Sequence, residues 1–490
     1  MGSPNAKRKV HVVPSIKQSS SVPIDRSKVF TLVLGVIIMA AIYFILPENY
    51  SDTAKIMLGL LGMSVLYWTF EPVPLGVTAV LLLILMTVFG IVPKEVVYSG
   101  FSSPAVFLII GGMMLAIGVN DTPLAKRLAY FILAKWGGTA KGLVGSIIII
   151  PQIQAFFIPA VAVRATLLIP VAMMTLDTIE VKENGNLRKM IMLAVAFGGT
   201  ISGTVVMTAA IGNILTVELL KEFLGIQITY FQWFLYTVPI WLLLIPVVWF
   251  VLLKSFALQP ENKEFPHVKE EMKKKLDELG SLNVQEKKCI AILILIVGLW
   301  FTEPFHGLHP SIPALLGAIL MAFPGIGCSK WESMVKINFD TILLMGVTLS
   351  LGYAFNHSGA TELIGGSLTA GWFIDLLRSP ILAVFSVLVI TQVLHLVVAN
   401  VSTAVVILIP IFIGLATTAG ADPVLICVTA SLACLHGYIL VVEATPNIVV
   451  HSTGQIQQKD FLIPGLWMTI AMIAVTVLTA ATWWNWIGLL

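Results

Sequence analysis

The chain contains repeated apolar runs long enough to cross a bilayer. The stretches 30–46, 75–92, 233–253 and 462–484 each approach or exceed the ~20 residues that a spanning helix requires. In lipid every backbone N–H and C=O must bond internally, so these runs fold as helices. Of the 490 residues 58% are hydrophobic and only 11% charged, against roughly 25% charged in a soluble domain. That composition excludes a water-soluble globular fold. The chain opens with Lys7, Arg8, Lys9 and Lys17 and lacks the apolar core and cleavage site of a secretory signal, so it is expected to insert through its own helices.

The apolar pattern predicts spans near 30–46, 55–70, 74–92 and 103–119, a helical hairpin over 140–173, and spans near 189–222 and 233–253. A hydrophilic linker follows, and the order then recurs: 289–303, 311–327, 339–356, a hairpin over 379–419, an interrupted span 422–453, and 462–487. The expected fold is an all-α polytopic membrane protein with about 11 transmembrane helices plus two re-entrant hairpins in an inverted repeat. Its expected parts are a cytoplasmic tail (1–29), a first helix and first repeat (30–253), a cytoplasmic linker (254–288) and a second repeat (289–490). Of the 29 Lys and Arg, this layout leaves only Lys55, Lys94, Lys221 and Arg378 outside and Arg164 within the membrane. The positive-inside rule therefore predicts a multi-pass plasma-membrane protein with a cytoplasmic N-terminus.

Repetition is visible at residue level. Residues 158–170 are mirrored by 398–410, Asn120 by Asn356, and Ala210-Ile211-Gly212-Asn213 by Ala444-Thr445-Pro446-Asn447. Gly, Pro and Asn carry these matches, and such residues inside apolar runs point to broken helices that meet at mid-membrane and bind substrate there.

Within those blocks, Arg164 is costly at membrane depth and needs a cavity or a partner. It either clamps a substrate carboxylate through paired hydrogen bonds or bonds exposed carbonyls at the hairpin tip. Thr166 follows one turn's half later. Asn400, Ser402 and Thr403 at the other tip suit an anion's oxygens or, read plainly, cap a helix. The Gly198–Thr204 stretch leading to Asn213, and the His436–Glu443 stretch leading to Thr445 and Asn447, read as unwound segments. Glu443 is an acid at depth: protonated, paired, or part of a proton or cation path. The candidate substrate contacts are thus Arg164, Thr166, Asn213, Asn400, Ser402, Thr403, Thr445 and Asn447, and the candidate coupling-ion contacts are Asn400, Glu443 and Ala444. Cys289, Cys328, Cys427 and Cys434 have no metal-ligand spacing, and no metal site or cofactor is read.

The hairpin ends Leu167-Leu168-Ile169-Pro170 and Ile407-Leu408-Ile409-Pro410, the segment Ala444–Asn447 and the stretch Thr229–Trp233 before Pro239 together resemble the divalent anion:sodium symporter family. The resemblance implies a secondary transporter of dicarboxylates or tricarboxylates, a hairpin-bearing domain that moves against a scaffold, a homodimer, and Na+ as coupling ion. It also implies a Ser-Asn-Thr motif at each tip. Here the first tip aligns as Pro159-Ala160-Val161 and the second as Ala399-Asn400-Val401, so one sodium position has lost its side chains, and exchange of one anion for another comes into play. The alternatives are an inorganic oxyanion or cation transporter and, from another class, an integral membrane enzyme. No nucleophile elbow or paired carboxylates support the enzyme, and no nucleic-acid partner is expected.

Overall fold

The computed structural model describes residues 25–48, 50–179, 185–257, 264–360, 371–396, 398 and 401–490. Among these residues helices dominate, and the one β contact is an isolated bridge between Thr139 and Glu264. In chain order the helices are α1 (Arg26–Ile45), α2 (Asp52–Phe70), α3 (Leu75–Val88), α4 (Lys94–Ser99), α5 (Pro104–Asn120), α6 (Leu124–Trp136), α7 (Ala140–Gln154), α8 (Val161–Thr178), α9 (Asn186–Ser202), α10 (Ile211–Leu224), α11 (Tyr230–Ser255) and α12 (Pro266–Glu278). They continue with α13 (Val284–Phe301), α14 (Glu303–His306), α15 (Ser311–Ala322), α16 (Trp331–Met334), α17 (Phe339–His357), α18 (Gly371–Arg378), α19 (Pro380–His395), α20 (Val401–Ala419), α21 (Pro423–Leu435), α22 (Thr445–His451) and α23 (Gln458–Thr479), which ends in a π-helical turn at Ala480–Trp484.

Eight helical stretches among the described residues have the length and apolarity to cross a membrane, and five shorter apolar helices accompany them. The protein is therefore polytopic. The eight include α8 and α20, which are hairpin arms, so length alone does not separate a span from an arm.

Packing follows membrane rules, with small residues at close crossings. A Cβ on Gly35 of α1 would lie 2.2 Å from Cε1 of Tyr67 in α2, and the Tyr67 hydroxyl donates to Leu32 O at 2.6 Å. Proline leaves a carbonyl without its helical donor. Pro239 in α11 frees Leu235 O, which accepts from the Trp483 indole at 2.7 Å. Two helices, α9 and α21, are buried along nearly their whole lengths and form the centre of the molecule. Against them lie the helix pairs α7–α8 and α19–α20.

The linker is partly helical: α12 buries Val268 and Met272, and Phe265 N donates to Gly138 O at 2.8 Å. Arg127 of α6 grips the far end of α12, donating to Leu279 O and Gly280 O, and pairs with Glu286 at 2.6 Å.

Candidate functional site

Both central helices stop in mid-protein in the same way. Helix α9 ends at Ser202, a 3-10 turn follows at Met207–Ala209, and extended Ala210 (φ −144°, ψ 144°) opens α10. Helix α21 ends at Leu435, a 3-10 turn follows at Val441–Glu443, and extended Ala444 (φ −137°, ψ 138°) opens α22. One asparagine ties each break. The Asn213 amide donates to Gly203 O at 2.8 Å and Val206 O at 3.2 Å; the Asn447 amide donates to Gly437 O and Leu440 O, both at 3.1 Å. Donor and acceptors are displaced by one common offset, 213 to 447, 203 to 437 and 206 to 440, so the repeat seen in sequence is a repeat of hydrogen bonding.

Neighbouring helices satisfy further backbone groups of the breaks, as a membrane interior demands. From α11, Trp233 Nε1 donates to Thr204 O at 3.3 Å and Thr237 Oγ1 to Val205 O at 3.2 Å. From α23, Gln458 accepts from Val441 N at 2.8 Å and donates to Ile439 O at 3.0 Å. His436 Nε2 and Thr204 Oγ1, 3.0 Å apart, join one break to the other. Each hairpin contributes a glutamine: Gln152 donates to Gly198 O at 2.7 Å and Gln392 to Ala433 O at 2.6 Å.

Between the tips lies a cavity of about 90 Å³. Ala160, Val161 and Ala162 line it from the start of α8; Ala210, Ile211 and Gly212 from the start of α10; Val401 and Ser402 from the start of α20; and Thr445 from the start of α22, with Thr200 and Leu435 completing the wall. Four helix N-termini therefore converge on one small space. The first N–H groups of a helix have no partner within it, and the helix dipole places partial positive charge there. The arrangement suits an anion with more than one oxygen group. Ala160 sits at φ 74°, one of two non-glycine residues with positive φ among those described. Such a conformation costs about 1–3 kcal/mol and persists only where its surroundings enforce it.

Arg164 is fully buried but does not line this cavity. One turn behind the tip, its Nε donates to Ser202 Oγ at 2.9 Å, Nη1 to Ile158 O at 2.6 Å and Nη2 to Ala209 O at 3.0 Å. Of the two readings open from sequence, this geometry is the bonding of exposed carbonyls at the tip. Thr166 is exposed and bonds back to Ala162 O at 2.9 Å. Ser402 and Thr445 line the cavity. Thr403 is buried and its hydroxyl finds no partner. Asn213 and Asn447 stand behind the wall, each with an unbonded Oδ1. Glu443 is buried, accepts from Ile439 N at 2.9 Å through Oε2, and leaves Oε1 unbonded; Ala444 is the extended residue that opens α22. Asn400 lies outside the described residues.

Sequence reading missed Ala160, Val161, Ala210, Ile211 and Gly212, because they offer the site backbone and not side chains. Their signal was positional: each precedes or opens a helix just after a predicted break.

Mirror-related helices differ in exposure. Along α8 and α22, Thr166, Pro170, Thr445, Ile448 and His451 are exposed; on their mirror helices α20 and α10, residues 402–406 and 212–220 are buried.

Residues 26–490 match the family model for the sodium:sulfate symporter transmembrane region. The chain belongs to this family. It is the divalent anion:sodium symporter family that the hairpin ends and Ala444–Asn447 resemble, so the protein is a membrane transporter and not an enzyme. Similar curated proteins include a "Membrane protein" of Cupriavidus necator, 26% identical over 462 residues covering 90% of this chain and 89% of that protein. The sodium-dependent dicarboxylate transporter SdcS of Staphylococcus saprophyticus is 26% identical over 472 residues (91% and 89% covered). SdcS of Staphylococcus aureus is 24% identical over 487 residues (94% and 92% covered). Among solved structures, the YdaH transporter of Alcanivorax borkumensis superposes with a TM-score of 0.55 at 15% identity, covering 93% of this chain and 97% of that one, a likeness of fold.

Proposed function

We propose that this family member is a secondary transporter of small dicarboxylates. The observation that carries the reading is the convergence of four helix N-termini on the cavity between the hairpin tips. Two carboxylates separated by a short carbon chain match two pairs of positive helix ends, and backbone N–H groups bind them without a full buried charge. The SdcS relatives are named sodium-dependent dicarboxylate transporters, which supports the same substrate class. In this reading Ser402, Thr403, Thr445 and Asn400 add side-chain contacts, while Asn213, Asn447 and Thr166 hold the backbone that presents the N–H groups.

In the first half Arg164 takes the place of a coupling ion. Backbone carbonyls and a hydroxyl at a broken helix are the ligands a small cation would use, and here a guanidinium takes them. The first cation position is thereby permanently filled by the chain itself. At the second tip the unbonded hydroxyl of Thr403 offers Na+ a ligand, and the unbonded oxygen of Glu443 is available to a proton. Alternating access proceeds by movement of the hairpin-bearing part against the remaining helices, in a homodimer of the plasma membrane with a cytoplasmic N-terminus. Exposure along α8 and α22, and burial along α10 and α20, correspond to a cytoplasm-facing state.

Proteoliposomes preloaded with unlabelled succinate test this reading. Labelled succinate is expected to enter by counterflow without a sodium gradient, and a sodium gradient is expected to accelerate net uptake through the second position. Absence of any dicarboxylate uptake, alongside uptake of sulfate, would replace the substrate class by an inorganic oxyanion.

A further inference from the structure

Away from the transport cavity, α7 and α11 enclose a second space of about 600 Å³ that opens on the outer face of the helix assembly. Its origin is local. Gly142 and Gly145 remove side chains from one face of α7, Pro246 interrupts α11 opposite them, and Trp136 and Trp249 stand as walls. A Cβ on Gly145 would lie 3.4 Å from the Trp249 indole nitrogen, which donates to Lys141 O at 3.0 Å.

The lining is apolar but for two hydroxyls, that of Thr139, which caps α7 by accepting from Gly142 N at 3.0 Å, and that of Ser146. Ser146 faces the space, is only 1% exposed, and its hydroxyl has no hydrogen-bond partner. A serine in a helix ordinarily bonds back to the carbonyl four residues earlier, and a buried polar group without a partner signals a missing acceptor or donor. At one end of the groove the apolar character gives way to positive charge. Lys141 opens α7, Lys254 closes α11 with its Nζ 5.6 Å from the Phe250 ring, and the Lys135 Nζ lies 5.1 Å from the Trp136 ring. Tryptophans beside lysines mark the level of lipid headgroups.

We propose that this groove seats one acyl chain of an anionic phospholipid. The chain lies along Gly142 and Gly145, the Ser146 hydroxyl donates to the ester carbonyl, and the phosphate meets Lys135, Lys141 and Lys254. Ser146 is five residues from Lys141, about 7.5 Å along a helix axis, which is the order of separation between an ester and its headgroup charge. Occupancy braces the first hairpin arm against α11, independently of which anion is carried.

The test is thermal stability of the full-length protein in detergent with added phosphatidylglycerol or with phosphatidylcholine of the same acyl chains. Phosphatidylglycerol is expected to raise the apparent melting temperature by about a few degrees, as a ligand of the folded state does, and phosphatidylcholine by less. Ile149→Trp, which fills the groove, should abolish both shifts. Lys135→Gln with Lys141→Gln and Lys254→Gln should make the two lipids equivalent. Photo-crosslinking with a diazirine-bearing phosphatidylglycerol provides a readout free of stability effects, with label expected on 142–149 or 245–249. Equal shifts for both lipids in the unaltered protein, an undiminished shift in Ile149→Trp, or label confined elsewhere would each overturn the proposal.

Discussion

Arg164 shows how a residue's chemistry is decided by what its neighbours leave unbonded. Its three donor nitrogens bind two backbone carbonyls and one hydroxyl, a geometry that lysine's single nitrogen cannot span. Arg164→Lys is therefore expected to retain less than about a tenth of transport, a loss of at least ~1.4 kcal/mol in the rate-limiting step. Arg164→Ser, which vacates the carbonyls, should lower transport and make what remains depend on sodium. Measurement in sodium and in choline buffers separates this from a carboxylate clamp, whose removal sodium could not relieve. The two tying asparagines act differently. Asn213→Ala or Asn447→Ala strands two buried carbonyls, which costs about 2–4 kcal/mol. Each should lower the apparent melting temperature and the amount of folded protein, and by similar degrees because the bonds are equivalent.

At the level of elements, the cavity exists because helices start close together. Gly212 at the start of α10 allows this: a Cβ there would lie 3.1 Å from Val401 Cγ1 and 3.2 Å from Val405 Cγ2. Gly212→Ala should push α10 from α20 and raise the half-saturation concentration several-fold, about 1 kcal/mol of binding. Gly298→Ala, at a helical site with no atom within 4 Å, should leave uptake unchanged and is the matched control. The second break was legible in sequence, since Gly437 and Pro446 flank it, but the first was misplaced: Gly198-Gly199, read as unwound, lie inside α9, whose hydrogen bonding continues to Ser202, and the break falls over residues 203–210. Legibility ended at the side chains. Arg164 was visible as an outlier, but whether it faced ligand or carbonyls depended on Ser202 and Ala209, some forty residues away, and no spacing rule relates them. The helical part of the linker was equally hidden, because α12 docks beside α6, where Arg127 donates to Leu279 O and Gly280 O just past its end.

For the whole molecule, the unequal exposure of mirror-related helices makes a prediction that needs no ligand. Thr166→Cys and Ile448→Cys, at exposed positions, should react with a membrane-impermeant maleimide from one side of the bilayer, and saturating dicarboxylate should slow the reaction near the cavity. Val217→Cys and Leu408→Cys, at positions 7% and 5% exposed, should be protected from both sides. The four native cysteines are all buried, so background labelling should be low. Equal labelling of both sets would show that the mirror-related helices are exposed alike. That the chain is all-helical and polytopic was the most legible feature of the sequence, because hydropathy reports on lipid directly. Which member of each mirror-related helix pair is exposed was not, since the paired helices have nearly the same apolar character and differ in how tightly they pack.

The guanidinium held at the first break has an energetic corollary. A bound ion is left behind on the far side of the membrane and carries the work of its gradient with it; a side chain makes the return journey every cycle. In the proposed movement Arg164 balances the charge of a dianion during the crossing, yet it does no net work over a full turn. Uphill accumulation must then be driven either through the opposite break alone or by the outward gradient of a second anion.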